Sequence, residues 1–226
     1  MHIKHHLDEA TLMSYAAGSL SQGMALVVAC HLTMCRDCAK RLDSHQAIGG
    51  ALLEQIAPTQ VTENALEEVL AKLDLTTEKE AITTEQRFAQ KKRLDNIQKS
   101  SIPAPLFDYI DSDFSELPWT KLGNSIAYYD IPCASSSGVS RLLRISPGKA
   151  LLPHSHNGNE LTLVLTGSFS DDMGRFEVGD IADLDDEVDH QPLVDSDIDC
   201  ICLIATDAPL KFSTMFGKII QPITGF

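Results

Sequence analysis

No stretch of this 226-residue sequence is apolar for long enough to cross a bilayer. The longest uninterrupted run, Met24 to Cys30, falls far short of the roughly 20 residues that a spanning helix needs. The amino terminus also lacks the succession of basic, apolar and small residues that marks a secretory signal, so the expectation is a cytoplasmic protein without a membrane role. Positive charge is scarce: 18 Lys and Arg face 32 Asp and Glu, for a net charge of −14. Residues 1–99 hold 11 basic and 13 acidic side chains, a net of −2, whereas residues 100–226 hold 7 and 19, a net of −12. Neither half has the cationic surplus that phosphate neutralisation demands, which argues against a nucleic acid as direct partner. A protein with a basic surface would instead be attracted, although much of the acidity also serves solubility. The six cysteines are not spaced as a secreted disulfide framework, and a chain of this size with 43% hydrophobic residues can build cores without such staples. Metal ligation and free thiols are the better expectation.

Against that background one cluster stands out. His31, Cys35 and Cys38 form a His-x3-Cys-x2-Cys pattern, and His2, His5 and His6 crowd the first six residues. Thiolates and imidazoles are the donors a tetrahedral zinc ion takes. If the segment before Cys35 is helical, His31 lies one turn from Cys35 on the same face, and Cys38 returns beside it after a tight turn. The fourth donor has to come from elsewhere, and the amino terminus offers His5 or His6, of which His6 is the expected ligand. Two alternatives compete: buried unpaired cysteines beside an incidental histidine, or a thioredoxin-like pair, because Cys35-Arg-Asp-Cys38 is formally C-x-x-C.

The chain reads as two halves. Asp8 can cap a first helix with Leu12, Tyr15 and Ala16 at helical spacing, ending near Gly18. A second helix follows Ser21 and carries Met24, Val27, Val28, His31 and Leu32. A third opens at Asp37, with Leu42, Leu52, Leu53 and Ile56 expected to face inward until Pro58. A fourth begins at Thr62, where Leu66, Val69, Leu70 and Leu73 make an apolar stripe. Residues 76–99 are mostly polar, including the Lys91-Lys92-Arg93 run, and suggest a solvated helix or tether. The segment 100–105, with Pro103 and Pro105, reads as a linker. From Leu106 the pattern changes to short apolar runs, such as Arg141 to Ile145, Leu161 to Leu165 and Ile198 to Ile204, punctuated by turn residues; these are strand signals of a sandwich or barrel. The expected organisation is a helical zinc-binding domain over 1–99, a linker over 100–105 and a β domain over 106–226.

The β half contains Gly148-x5-His154-x-His156-x3-Glu160-x6-Gly167, then Gly179-Asp180 and His190. Residues two apart in a strand share a face, so His154 and His156 point together, while Glu160 and His190 can join them from neighbouring segments. Three imidazoles and a carboxylate suit zinc, iron, manganese or nickel and leave positions for water. The spacing resembles the first cupin motif at every signature position. The second cupin motif is degraded: Gly179 and His190 stand in place, but the usual Pro and the terminal Asn do not, with Val194 near the place of that Asn.

Taken together, His5-His6, Tyr15-Ala16-Ala17-Gly18-Ser19-Leu20, His31-x3-Cys35-x2-Cys38 and the cupin motif resemble the ChrR family of zinc-containing anti-sigma factors. That resemblance implies a helical bundle followed by a jelly-roll-like cupin barrel. It also implies zinc on His6, His31, Cys35 and Cys38, and a second metal on His154, His156, Glu160 and His190. The implied function is inhibition of an extracytoplasmic-function sigma factor by the helical domain, with release under singlet oxygen or related oxidants through the cupin. Oxidisable candidates in that half include Cys133, Cys200, Cys202, Met173 and Met215, although Cys200 and Cys202 on one strand face read first as small buried hydrophobes. The competing reading is a cupin dioxygenase or isomerase with an appended zinc module. Apart from the metal ligands no acid–base dyad stands out, since Glu187 and Asp189 read as solvated, so the chain is expected not to be an enzyme.

Overall fold

Three side chains set where the first helices begin. In the computed structural model, which describes residues 2–75, 102–133, 138–151, 153–155, 158–186, 188, 190–208 and 211–212, Asp8 accepts the Thr11 amide and starts α1 (Glu9–Ala16). Ser21 accepts the Met24 amide and starts α2 (Gln22–Met34). Gly18 ends the first helix at φ +67, a left-handed conformation natural for glycine. Cys35 then does two things. Its amide donates to the His31 carbonyl at 2.8 Å to close α2, and its sulfur accepts the Cys38 amide at 3.4 Å to open α3 (Arg36–Glu54). The third helix therefore starts at Cys35 rather than at Asp37, because a thiol already occupies the capping position and leaves Asp37 in the first turn, where its charge complements the helix dipole.

The outer part of the helical half departs from expectation. Leu42 is buried, but Leu52, Leu53 and Ile56 are 60–69% exposed, not inward facing. α4 (Ala65–Leu75) likewise leaves Leu66, Val69, Leu70 and Leu73 in water. A helical period places these apolar residues on one side of each helix, yet nothing among the described residues covers them, and no residue of α3 beyond Leu42 is buried. Residues 76–101, and with them the polar stretch carrying Lys91-Lys92-Arg93, lie outside the described residues. Ile102 and Pro103 are buried, and a 3₁₀ turn over Ala104–Asp108 seats Leu106 in the same core as α2.

Antiparallel strands make up the rest. β1 (Thr120–Leu122), β2 (Ile126–Asp130), β3 (Ser140–Ile145), β10 (Cys200–Thr206), β5 (Glu160–Thr166) and β8 (Ile181–Leu184) form a six-stranded sheet in that order. β7 (Gly174–Glu177), β6 (Ser168–Asp171) and β9 (Leu193–Val194) form a second sheet, and β4 (His154–Ser155) pairs with β11 (Lys211–Phe212). The central strands of the large sheet, β3, β10 and β5, are buried on both faces. Leu142, Leu161, Leu163, Ile181, Leu203 and Ala205 pack toward Leu12, Met24, Val27 and Val28 of the helices. Leu143, Val164, Leu184, Cys200 and Cys202 point the other way, into an interior shared with Phe169, Phe176 and Val194 of the second sheet. That double burial explains why β5 and β10 read as continuous apolar runs rather than alternating ones. Contact with the helices is close: a Cβ added at Gly23 of α2 would collide with Ser140 on β3. Among the described residues no helix is long and apolar enough to cross a membrane.

Candidate metal centre

α2 ends where α3 begins, and the junction carries three of the four expected zinc ligands. His31 lies in the last turn of α2, Cys35 at the junction and Cys38 in the first turn of α3. The extended segment before α1 brings His6 to them. Its Nδ1 stands 3.2 Å from Cys35 Sγ and 3.6 Å from Cys38 Sγ, and one donor atom from each of the four residues lies within 4.8 Å of every other. A tetrahedral zinc with Zn–S near 2.3 Å and Zn–N near 2.0 Å has ligand edges of about 3.3–3.8 Å. The observed spacing suits such an ion.

Burial gives an independent test. His31 is fully inaccessible; its Nδ1 meets the Gly179 carbonyl at 3.0 Å, while its Nε2 is buried with no hydrogen-bond partner. A carbonyl can only accept, so Nδ1 carries the proton and Nε2 presents its lone pair to the cluster. An orphaned buried nitrogen is costly unless something binds it, and a metal ion does. Desolvation lowers the imidazole pKa to about 4 and so keeps it neutral, the form that ligates. Desolvation pushes the Cys38 thiol up to about 11 in the absence of an ion, and a dication reverses that order by stabilising thiolate. Arg41 lies beside Cys38, with Nη1 3.8 Å from the sulfur, and is held by Glu9, which also meets His45 Nε2 at 2.7 Å. The hydrogen bonds from His45 and Arg41 hold the Glu9 carboxyl below its ordinary pKa.

The cluster is joined to the sheet as well as to the helices. Asp180, buried just before β8, accepts the backbone amides of Lys4 at 2.6 Å and His5 at 3.1 Å through Oδ1, and that of Glu177 at 2.9 Å through Oδ2. The Ile181 amide donates to the His5 carbonyl, and Asp183 accepts from the Asp8 amide and the Thr11 hydroxyl. The His5 ring packs on Phe176, with centroids 4.1 Å apart. The amino-terminal arm thus runs along the free edge of β8.

The second expected set is described only in part. Glu160 is buried at the start of β5, where the Thr162 hydroxyl donates to Oε1 at 2.9 Å. His190 is buried with Nδ1 3.2 Å from Asp171 Oδ2. A carboxylate on Nδ1 orients an imidazole to offer Nε2, the arrangement found behind metal-bound histidines. The backbone of His154 lies in β4. The side chain of His154, and all of His156, Glu187, Asp189 and Met215, lie outside the described residues. Cys200 and Cys202 face the interior with sulfurs 3.7 Å apart, both buried and neither disulfide-bonded; the Cys200 contact and burial raise the Cys202 pKa well above that of an ordinary thiol. Sequence reasoning noted Gly179-Asp180 only as part of the cupin pattern and missed the amino-terminal clamp, Asp171 and Arg41. A buried-type Asp directly after a turn glycine was the one available signal.

Comparison with known proteins places these features in context. The family model described as the ChrR cupin-like domain matches residues 110–209. The anti-sigma-E factor ChrR of Cereibacter sphaeroides is 41% identical over 222 residues, covering 98% of this chain and 98% of that protein. In the crystal structure of Rhodobacter sphaeroides SigE in complex with the anti-sigma ChrR, one chain superposes with a TM-score of 0.75 at 38% identity, covering 91% of this chain and all of that one.

Proposed function

The chain belongs to the ChrR family of anti-sigma factors, and from that premise we propose that it binds an extracytoplasmic-function sigma factor and holds it inactive through the exposed apolar faces of α3 and α4. The observation that carries this reading is the run of large apolar residues from Ile48 to Leu73 that the chain leaves in water, Ile48, Leu52, Leu53, Ile56, Val61, Leu66, Val69, Leu70 and Leu73 all being at least 50% exposed. Exposed apolar surface on this scale marks a partner interface. A stable inhibitor interface buries about 1,200–2,000 Å² around an apolar centre, and two projecting helices can supply such a centre. The acidic surface would steer a basic partner toward it.

In this reading residues 1–99 form the inhibitory domain, residues 100–105 join it to the rest, and residues 106–226 form the cupin sensor, all in the cytoplasm. Zinc on His6, His31, Cys35 and Cys38 knits the arm to the α2–α3 junction. With all four positions filled by protein donors the site is structural, and metal of this kind contributes about 10–16 kcal/mol of apparent binding energy only to the folded form. A second divalent ion, zinc or another such as iron, manganese or nickel, is proposed on His154, His156, Glu160 and His190. The buried Glu160 and the Asp171-oriented His190 support that assignment. The proposed trigger is singlet oxygen or a related oxidant acting in the cupin half and lowering affinity for the sigma factor. A loss of about 2.8 kcal/mol weakens binding a hundredfold, so a modest rearrangement suffices.

The test is co-purification of the full chain with an extracytoplasmic-function sigma factor of its own genome, before and after metal removal. An equimolar complex that dissociates on chelation supports the reading. Absence of any complex, or undiminished affinity in the zinc-free chain, overturns it.

A further inference from the structure

The two imidazole ligands reach the metal centre by routes that pass through the cupin half, and one turn of that half serves both. His6 is the continuation of an arm whose two preceding amides, Lys4 and His5, donate to the Asp180 carboxylate. His31 owes its tautomer to the carbonyl of the adjacent Gly179. Those contacts are not incidental surface bonds: Asp180 is 1% exposed and His31 0% exposed, and the carboxylate has its oxygens filled by three backbone donors. The turn is in turn anchored to β5. The Gly179 amide donates to the Val164 carbonyl at 2.9 Å, and the Val164 amide to the Asp180 carbonyl at 3.1 Å. Val164 faces the cupin interior on the same strand that carries Glu160.

The alternative anchors are weaker. Without Asp180, the arm around His6 keeps the Ile181–His5 bond at 3.4 Å, the His5 ring on Phe176, the Asp183 contacts at the far end and an exposed Lys4–Glu177 ion pair. None of these holds the two amides immediately before the ligand. We propose that Asp180 and Gly179 are positioning residues for the zinc centre, so that the metal site of the inhibitory half is completed by a turn of the cupin half. The inference rests on the zinc reading of the four-residue cluster and adds to it where the ligands take their orientation from. Residues that orient a metal-bound histidine or its segment typically change metal affinity about 10- to 100-fold when removed.

Cobalt in place of zinc reads this site selectively, because thiolate-to-cobalt absorption arises only where cysteine sulfur is bound, and the proposed cupin ligands include none. The experiment loads the full chain with cobalt and follows the decay of that absorption after addition of excess chelator. In Asp180→Ala the decay is expected to be at least tenfold faster than in the unaltered chain, with a shifted visible spectrum. Asp180→Asn should lie between the two, since its amide oxygen still accepts from the arm. His5→Pro removes the amide donor and the ring contact on Phe176 together, whereas His5→Ala removes the ring contact alone; His5→Pro should lose cobalt faster than His5→Ala, and that comparison decides the matter if Asp180→Ala does not fold. Equal decay rates and unchanged spectra in a folded Asp180→Ala, or equal decay in His5→Pro and His5→Ala where that comparison must decide, would overturn the proposal. An unaltered chain with no thiolate–cobalt band would instead overturn the zinc reading beneath it.

Discussion

Replacing Leu70 and Leu73 of α4 by alanine separates binding from folding. These side chains are 50% and 58% exposed in the free chain, so the folded molecule gains little from them. Alanine is the best helix former and should preserve α4, and substitutions at such positions usually change stability by less than about 0.5 kcal/mol. A leucine side chain fully withdrawn from water is worth about 1.5–3 kcal/mol. With half or more of each residue still accessible, docking can recover about 1–1.5 kcal/mol apiece, less the part that alanine retains. The pair should therefore cost about 1.5–2.5 kcal/mol of binding, a loss of about 10- to 70-fold in affinity for the sigma factor. Calorimetric titration measures the affinity, and thermal melting by circular dichroism checks the fold. Affinity within threefold of the parent would mean that this face is not the docking surface. A lowered melting temperature would mean that the leucines serve the chain itself.

Other consequences can be measured separately. In the metal-free chain burial lowers the His31 pKa from 6.5 to about 4, so between those values the unfolded imidazole takes a proton that the folded one refuses. Stability from this group is complete above pH 6.5 and declines as pH falls toward 4, by up to about 3 kcal/mol; urea midpoints between pH 7.5 and 5 should show the slope, and the same slope in His31→Gln would rule it out. Gly23→Val should destabilise the chain by about 1–3 kcal/mol, because the added atoms overlap Ser140 where α2 lies on the sheet; an unchanged denaturation midpoint would contradict that contact. Cys30, Cys200 and Cys202 are fully or nearly fully buried, and desolvation raises the Cys30 pKa to about 12, so iodoacetamide at pH 7.5 should leave all three unmodified in the folded protein and label them in urea. Rapid labelling of the folded chain, read by mass spectrometry, would show that the cores open far more readily than their packing implies.

The helix starts at Asp8 and Ser21, the His-x3-Cys-x2-Cys cluster and the strand-rich second half were legible because each rests on local chemistry: a capping oxygen, a ligand spacing, a change of period. That a four-coordinate site needs a donor from outside the motif pointed to His5 or His6, with His6 preferred; the fold separates them, since His6 Nδ1 lies beside the two sulfurs while the His5 ring packs on Phe176. The fate of Leu52, Leu53 and Ile56 was not legible. An amphipathic stripe has the same spacing whether its cover is the same chain or another protein, and only the fold shows that nothing among the described residues lies over it. The cap at Cys35 was hidden for a different reason: a cysteine rarely caps a helix, and the more usual Asp37 stood two positions later. Bonds such as Lys4 to Asp180 span 176 positions and leave no periodic trace in either segment. The proposed cupin ligands were read from motif spacing, and of these the structure describes the side chains of Glu160 and His190.

The six-stranded sheet, greasy on either side, makes the two halves poor candidates for exchange. A helical half spliced onto a different cupin fold would arrive with Met24, Val27 and Val28 shaped to another wall, and the β half stripped of its helices would bare Leu161, Leu163 and Leu203 to solvent. Shuffling such a molecule piecemeal invites clumping of both fragments, so lineages that diversify the cupin half must retain the strand surface beneath α2 even where the interior on the far side is rebuilt. Engineers who wish to alter the cupin interior should accordingly redraw the inner face and leave the outer one alone.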